Sequence, residues 1–239
     1  MSEEISLNDI LNICQEFNVK CEYRVDKSTF SSNIMFNPSK KAYDIHSVKI
    51  PNIDIVNKWC RYYGLSRSAC LLHVRETIEH EVKHVELQNF ELSRCPMIHT
   101  LARSVTPSGR QAINFCENIV IEKELEDKYR EVHFIDCNKL RKLTSVDIER
   151  VFLGKTVNEA IDLAISLSIK TISCYLEDKV KNDIDKTNLP NEFKKFIKKL
   201  LEIGSKTRNI GRDELCNCLA DTLVEILRVK HKLMKIMSL

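Results

Sequence analysis

Glycine and proline each occur only five times in the 239 residues of this chain. These two residues supply most tight turns and helix breaks, so their scarcity predicts a helix-rich fold built from long unbroken segments. The stretch Ser68–Leu87 carries apolar residues at helical spacing with no Gly or Pro inside it. Gly64 ends the segment before it, and Ser66 or Ser68 stands where an N-cap is needed. A second helix opens at Thr106-Pro107-Ser108, where Ser108-x-x-Gln111 reads as a capping box and Pro107 suits the first turn of a start one residue earlier. It runs to Glu126, with Ile113, Phe115, Cys116, Ile119 and Val120 as its buried stripe.

Ahead of these helices the pattern changes. Val19–Val25, Asn33–Pro38 and Asp44–Pro51 are β-branched or alternating runs that read as strands, and Asn52–Tyr63 reads as a helix. The run Asp44–Ile50 reads either as a structural strand or as an edge strand to which an extended peptide could add. Past residue 140 three helices follow. One opens at the capping box Thr156-x-x-Glu159 and runs to about Lys181; one opens at Asn188-Leu189-Pro190 and ends at Gly204; one follows Gly211-Arg212-Asp213 toward Met237. Leu215, Cys218, Leu219, Thr222, Ile226 and Val229 form the apolar stripe of the last. The expected fold is α+β and mostly helical, with a core over 1–140 and a helical subdomain over 141–239.

One pentapeptide specifies a chemistry. His80-Glu81-Val82-Lys83-His84 lies mid-helix, where i,i+4 geometry brings two imidazoles to one face about 5–6 Å apart. Both can then reach one Zn²⁺, with Glu81 beside them as the base of a zinc hydrolase. The competing reading is a solvated charged helix, with Glu76, Glu79, Lys83 and Glu86 as surface charge. A catalytic site also needs a third ligand. Glu117 lies within the apolar stretch of the following helix, where a carboxylate is costly unless paired or metal-bound.

Together, HExxH and Asn114-Phe115-Cys116-Glu117-Asn118-Ile119-Val120-Ile121-Glu122-Lys123 resemble the motifs of predicted zinc peptidases found in phage proteins and beside von Willebrand-type domains in cobaltochelatase-T-like proteins. Their second motif reads N-[IL]-x-E-D-x-R-I-E-[RK]. Asn114, Glu117, Ile121, Glu122 and Lys123 match it; Asn118 replaces the usual Asp and Val120 the usual Arg. More broadly the pair is similar to the gluzincins, which implies a zincin-like core of a small sheet, an active-site helix and a glutamate helix. The resemblance implies a zinc metallopeptidase acting on a peptide or protein, with His80, His84 and Glu117 as zinc ligands. Glu81 would be the general base that takes a proton from the zinc-activated water. Glu122 is the alternative third ligand, since two residues five apart on a straight helix cannot address one spot. The alternative function is a non-catalytic zinc-binding regulatory or interaction protein. Tyr129, His133, His99 and His73 are candidate oxyanion stabilisers, and Asn89–Thr106, between the two motif helices, is expected to be a mobile cover.

The remaining composition excludes more than it assigns. Net charge is +3, and the basic clusters Lys194–Lys199 and Arg228–Lys235 alternate with acidic and apolar residues, so no nucleic-acid surface is expected. Met1-Ser2-Glu3-Glu4 lacks the basic start and apolar run of a secretion signal, and no apolar stretch approaches a membrane span. A cytoplasmic protein is therefore expected. Its ten cysteines form no CxxC, and Cys60, Cys70, Cys116 and Cys174 lie in apolar helical contexts, so reduced, packed thiols are expected.

Overall fold

The computed structural model describes residues 4–24, 29–133 and 137–237. In chain order the elements are α1 (Leu7–Glu16), β1 (Cys21–Tyr23), β2 (Ser31–Asn37), β3 (Ala42–Ile50), α2 (Ile53–Tyr62), α3 (Arg67–Arg94), α4 (Pro96–Ser104) and α5 (Ser108–Glu126). Then come α6 (Arg130–His133), α7 (Cys137–Lys142), α8 (Ser145–Phe152), α9 (Val157–Ser173), α10 (Glu177–Asp185), α11 (Asn191–Ile210) and, after a 3₁₀ turn at Gly211–Glu214, α12 (Leu215–Met237). The fold is α+β and mostly helical, as expected. It divides into two units: Met1–Leu92 with Glu124–Ile135, and Ser93–Lys123 with Asp136–Leu239. Residues 93–123 thus group with the C-terminal helices, a different partition from one drawn at residue 140.

The first unit contains the sheet. Its strand order is β1-β3-β2, with β1 parallel and β2 antiparallel to β3. Of the two readings of Asp44–Ile50, the structural one holds: it lies in the central strand. Strands pair with it on both sides, and β2 takes an edge. Val25, placed in the first strand by sequence, lies outside the described residues. Ile10, Ile50, Val74 and Ile78, fully buried, join α1, the sheet and α3 in one apolar cluster. The sequence reading missed α1, although Ser6 and Asp9 form a reciprocal capping box at its start. Asn52 caps α2 by accepting from the Asp54 N–H, and Ser66 caps α3 by accepting from the Ala69 N–H.

Two observations fix α3 against the sheet. Val48 donates its N–H to the Lys20 carbonyl, so its neighbour Ser32 on β2 turns its own N–H to the outer edge. There the Glu81 carboxylate accepts it at 2.7 Å. Farther along, the Asn89 amide takes both backbone groups of Tyr43, accepting at 2.6 Å and donating at 2.9 Å, as a neighbouring strand would. The helix thus crosses the sheet from the outer edge of β2 to the opposite edge of β3. It also continues to Arg94, and α4 follows at once, so the expected mobile cover is helical.

The second unit is built around α5. Ala112, Phe115, Cys116, Ile119, Val120 and Ile121 are all buried, which is the pattern of an interior helix and wider than a single stripe. The expected capping box at its start does not form. The Ser108 hydroxyl accepts instead from the Lys230 ammonium of α12 at 2.8 Å, and the Gln111 amide donates to Asp162 of α9 at 2.8 Å. Gly204, expected to end a helix, lies inside α11. A Cβ there would meet Ile172 Cδ1 at 2.2 Å and Phe115 Cζ at 3.0 Å, so the glycine is a contact point. The helix ends at Gly211, whose φ of +85° suits a residue without Cβ. The expected helix from Thr156 to Lys181 is likewise two, α9 and α10, because Tyr175 adopts φ 55° between them.

The expectation of reduced thiols is overturned. All ten cysteines are paired: Cys14–Cys21 and Cys60–Cys70 in the first unit, and Cys95–Cys216, Cys116–Cys218 and Cys137–Cys174 in the second. The sequence reading noted the buried, apolar settings correctly. It could not see that in each setting a second cysteine stood opposite.

Candidate metal centre

His80 and His84 occupy successive turns of α3, and no proline or glycine disturbs the helix between Gly64 and Pro96. Their rings are half-buried neighbours, with centroids 5.1 Å apart and planes 70° to one another. Imidazole nitrogens are a donor type that a borderline-soft divalent ion such as zinc accepts, so the chemistry of these two side chains fits zinc. Glu81, half-buried next to His80, is oriented by the bond from the Ser32 N–H. Lys83, inside the same pentapeptide and only 16% exposed, pairs with Glu124 at 2.8 Å.

The turns preceding the motif are not the solvated face that the competing reading required. Glu76 is buried and bridges two histidines, with His133 Nδ1 at 2.7 Å from one carboxylate oxygen and His73 Nδ1 at 3.3 Å from the other. Burial pushes the Glu76 carboxyl up, but the hydrogen bonds from His133 and His73 and the attraction of their charge prevail and hold it below the usual glutamate range. Glu79 accepts from the Tyr129 hydroxyl at 2.5 Å and pairs with Lys128. Burial, and then the Glu79 carboxylate, push the Tyr129 phenol far above its ordinary value. Tyr129, His133 and His73 are therefore engaged with carboxylates of α3. Of the sequence candidates for oxyanion stabilisation, His99 lies in the second unit, buried on α4, where its Nε2 faces Arg103 Nε at 3.0 Å.

Glu117 and Glu122 lie on α5 in the second unit, whereas His80, Glu81 and His84 belong to the first. Glu117 is 1% exposed, in line with the expectation that it is interior; Glu122 is half-buried. Within the second motif, the Asn118 amide donates to the carbonyl and side-chain oxygens of Asn114 at 2.6 and 2.8 Å. Among the described residues, no three His, Cys, Asp or Glu side chains are grouped so as to hold a metal ion. No helix of the described residues is long and apolar enough to cross a membrane. The chain matches no protein-family model, no curated protein and no solved structure. The resemblance to the gluzincins thus rests on the two motifs.

Proposed function

We propose that this protein is a zinc-dependent metallopeptidase with a zincin-like core. The observation that carries the reading is the pair of adjacent imidazoles of His80 and His84 on α3 with Glu81 beside them. These histidines would hold the metal, and the motif resemblance implies Glu117, with Glu122 as the alternative, for the third ligand. Zn²⁺ bound there would supply Lewis acidity toward a carbonyl and a water that ionises near neutral pH. Glu81 takes the proton of the attacking water and returns it to the leaving amine. A carboxylate accepts through several lone pairs, so the bond from Ser32 orients Glu81 without exhausting it as a base. The polar groups that β2 turns to the sheet edge beside Glu81 suit an extended peptide backbone.

A second reading, a zinc-holding interaction protein without turnover, is favoured by Asn118 and Val120 standing where the related motif has Asp and Arg. The two part at Glu81→Gln. In protein purified without chelator, this variant is expected to retain zinc and lose peptide cleavage; wild-type protein that holds zinc yet cleaves nothing establishes the second reading. Zinc-free wild-type protein defeats both. For the third ligand, Glu117→Ala is expected to lose zinc and Glu122→Ala to keep it.

A further inference from the structure

We propose that the first unit binds a bulky apolar side chain, of leucine or phenylalanine size, in a pocket one helical turn from Glu81, and selects its substrate by it. The selection rests on the metallopeptidase reading; the binding does not. The pocket has a volume of about 270 Å³ and is lined by the buried Val56 and Val74 together with Phe30, Ile55 and Trp59. A cavity of roughly 150 Å³ accepts benzene, so this one has room for a phenyl or isobutyl group and the chain bearing it.

Its position ties it to the candidate base. Thr77, also in the lining, precedes Glu81 by four residues, which is one turn and about 6 Å along the same face of α3. Phe30 precedes by two residues Ser32, whose N–H holds Glu81. Pocket and base therefore share both of their supports, α3 and the start of β2. A peptide lying along the outer edge of β2 with a carbonyl at Glu81 would bring a neighbouring side chain to this opening.

The chemistry of the lining selects the occupant. Among the described residues, no Lys, Arg, Asp or Glu contributes to it. Its polar side chains on α3 are already engaged: the Thr77 hydroxyl donates to the His73 carbonyl at 2.9 Å, and His73 Nδ1 faces Glu76. The His73 ring stacks on Trp59, with centroids 4.0 Å apart and planes 14° from parallel. An apolar group entering here gains by leaving water, whereas a charged one would be desolvated without a charged partner among the described lining residues.

Trp59 is the only tryptophan of the chain, so its emission reports on the pocket. Titration of the full chain with N-acetyl-phenylalaninamide or N-acetyl-leucinamide is expected to change Trp59 emission saturably. N-acetyl-aspartamide should leave it unchanged. Ile55→Glu, a change at a partly exposed position, should weaken the response at least tenfold, and Glu81→Gln should preserve it. In wild-type protein, cleavage of a peptide mixture should favour sites with Phe or Leu at one fixed subsite, and Ile55→Glu should abolish that preference. No emission response, or an equal response to the aspartate derivative, overturns the pocket. A saturable response in a protein that cleaves nothing establishes the binding site and overturns its role in selection along with the enzyme reading.

Discussion

A methyl group added at Gly109 would lie 1.5 Å from the Ala102 carbonyl oxygen, which is backbone and cannot swing aside. At Gly204 the nearest atom is the flexible end of Ile172, and alanine there recovers about 1 kcal/mol of helix propensity. Gly109→Ala is therefore expected to be the more destabilising, by upwards of about 1–3 kcal/mol, with Gly204→Ala costing less. Chemical denaturation of the two variants checks the order. The same scale shows what sequence could reveal of the candidate site. The spacing of His80 and His84 determines their adjacency on any unbroken helix, so that part was legible from five residues. The hold of Ser32 on Glu81 was not, because it depends on the strand register that turns one particular N–H outward.

The helix α3 is more than a carrier of the motif. Its carboxylates at Glu76 and Glu79 draw in His73, Tyr129, His133 and Lys128, and the α6 segment is held to it by these bonds. Because the folded pKa of Glu76 lies below its unfolded value, the folded state binds this proton more weakly. The stability it contributes is complete above the ordinary glutamate value of about 4.3 and is lost as pH falls through the lower folded value. Glu76→Gln is expected to lower the thermal midpoint at neutral pH and to flatten its decline in acid; melting curves from pH 3 to pH 7 test it. An unchanged acid limb would remove Glu76 from this role. Periodicity alone left a solvated face open for these charges, since a carboxylate facing solvent and one facing two histidines carry the same letter. The length of α3 and the helical state of α4 were missed for a related reason. Pro96 signals a boundary, but a proline suits the first turn of a new helix as well as a loop.

At the scale of the molecule, the cysteines change the picture most. Five pairings demand an oxidant during maturation, and so remove the premise that the thiols are kept reduced. Oxidised frameworks of this kind occur in secreted proteins and also inside hyperthermophiles. Alkylation of the native protein without reductant is expected to label no cysteine, and alkylation after unfolding in reductant to label all ten. Replacing Cys116 and Cys218 together by alanine should cost on the order of 2–4 kcal/mol, because their loop spans 102 residues. Helix content was readable across the whole chain from its few breakers, whereas the partners of each cysteine were not. Pairings with sequence separations of 37 to 121 residues are properties of the packed helices and leave no local trace.

Cys216 and Cys218 sit two residues apart, yet they reach back to Cys95 and Cys116. Any single cut of the backbone between residues 117 and 215 would therefore release no fragment. A protease that nicks the connections of the helical unit, or self-cleavage there, would leave a molecule that migrates as one chain until it is reduced.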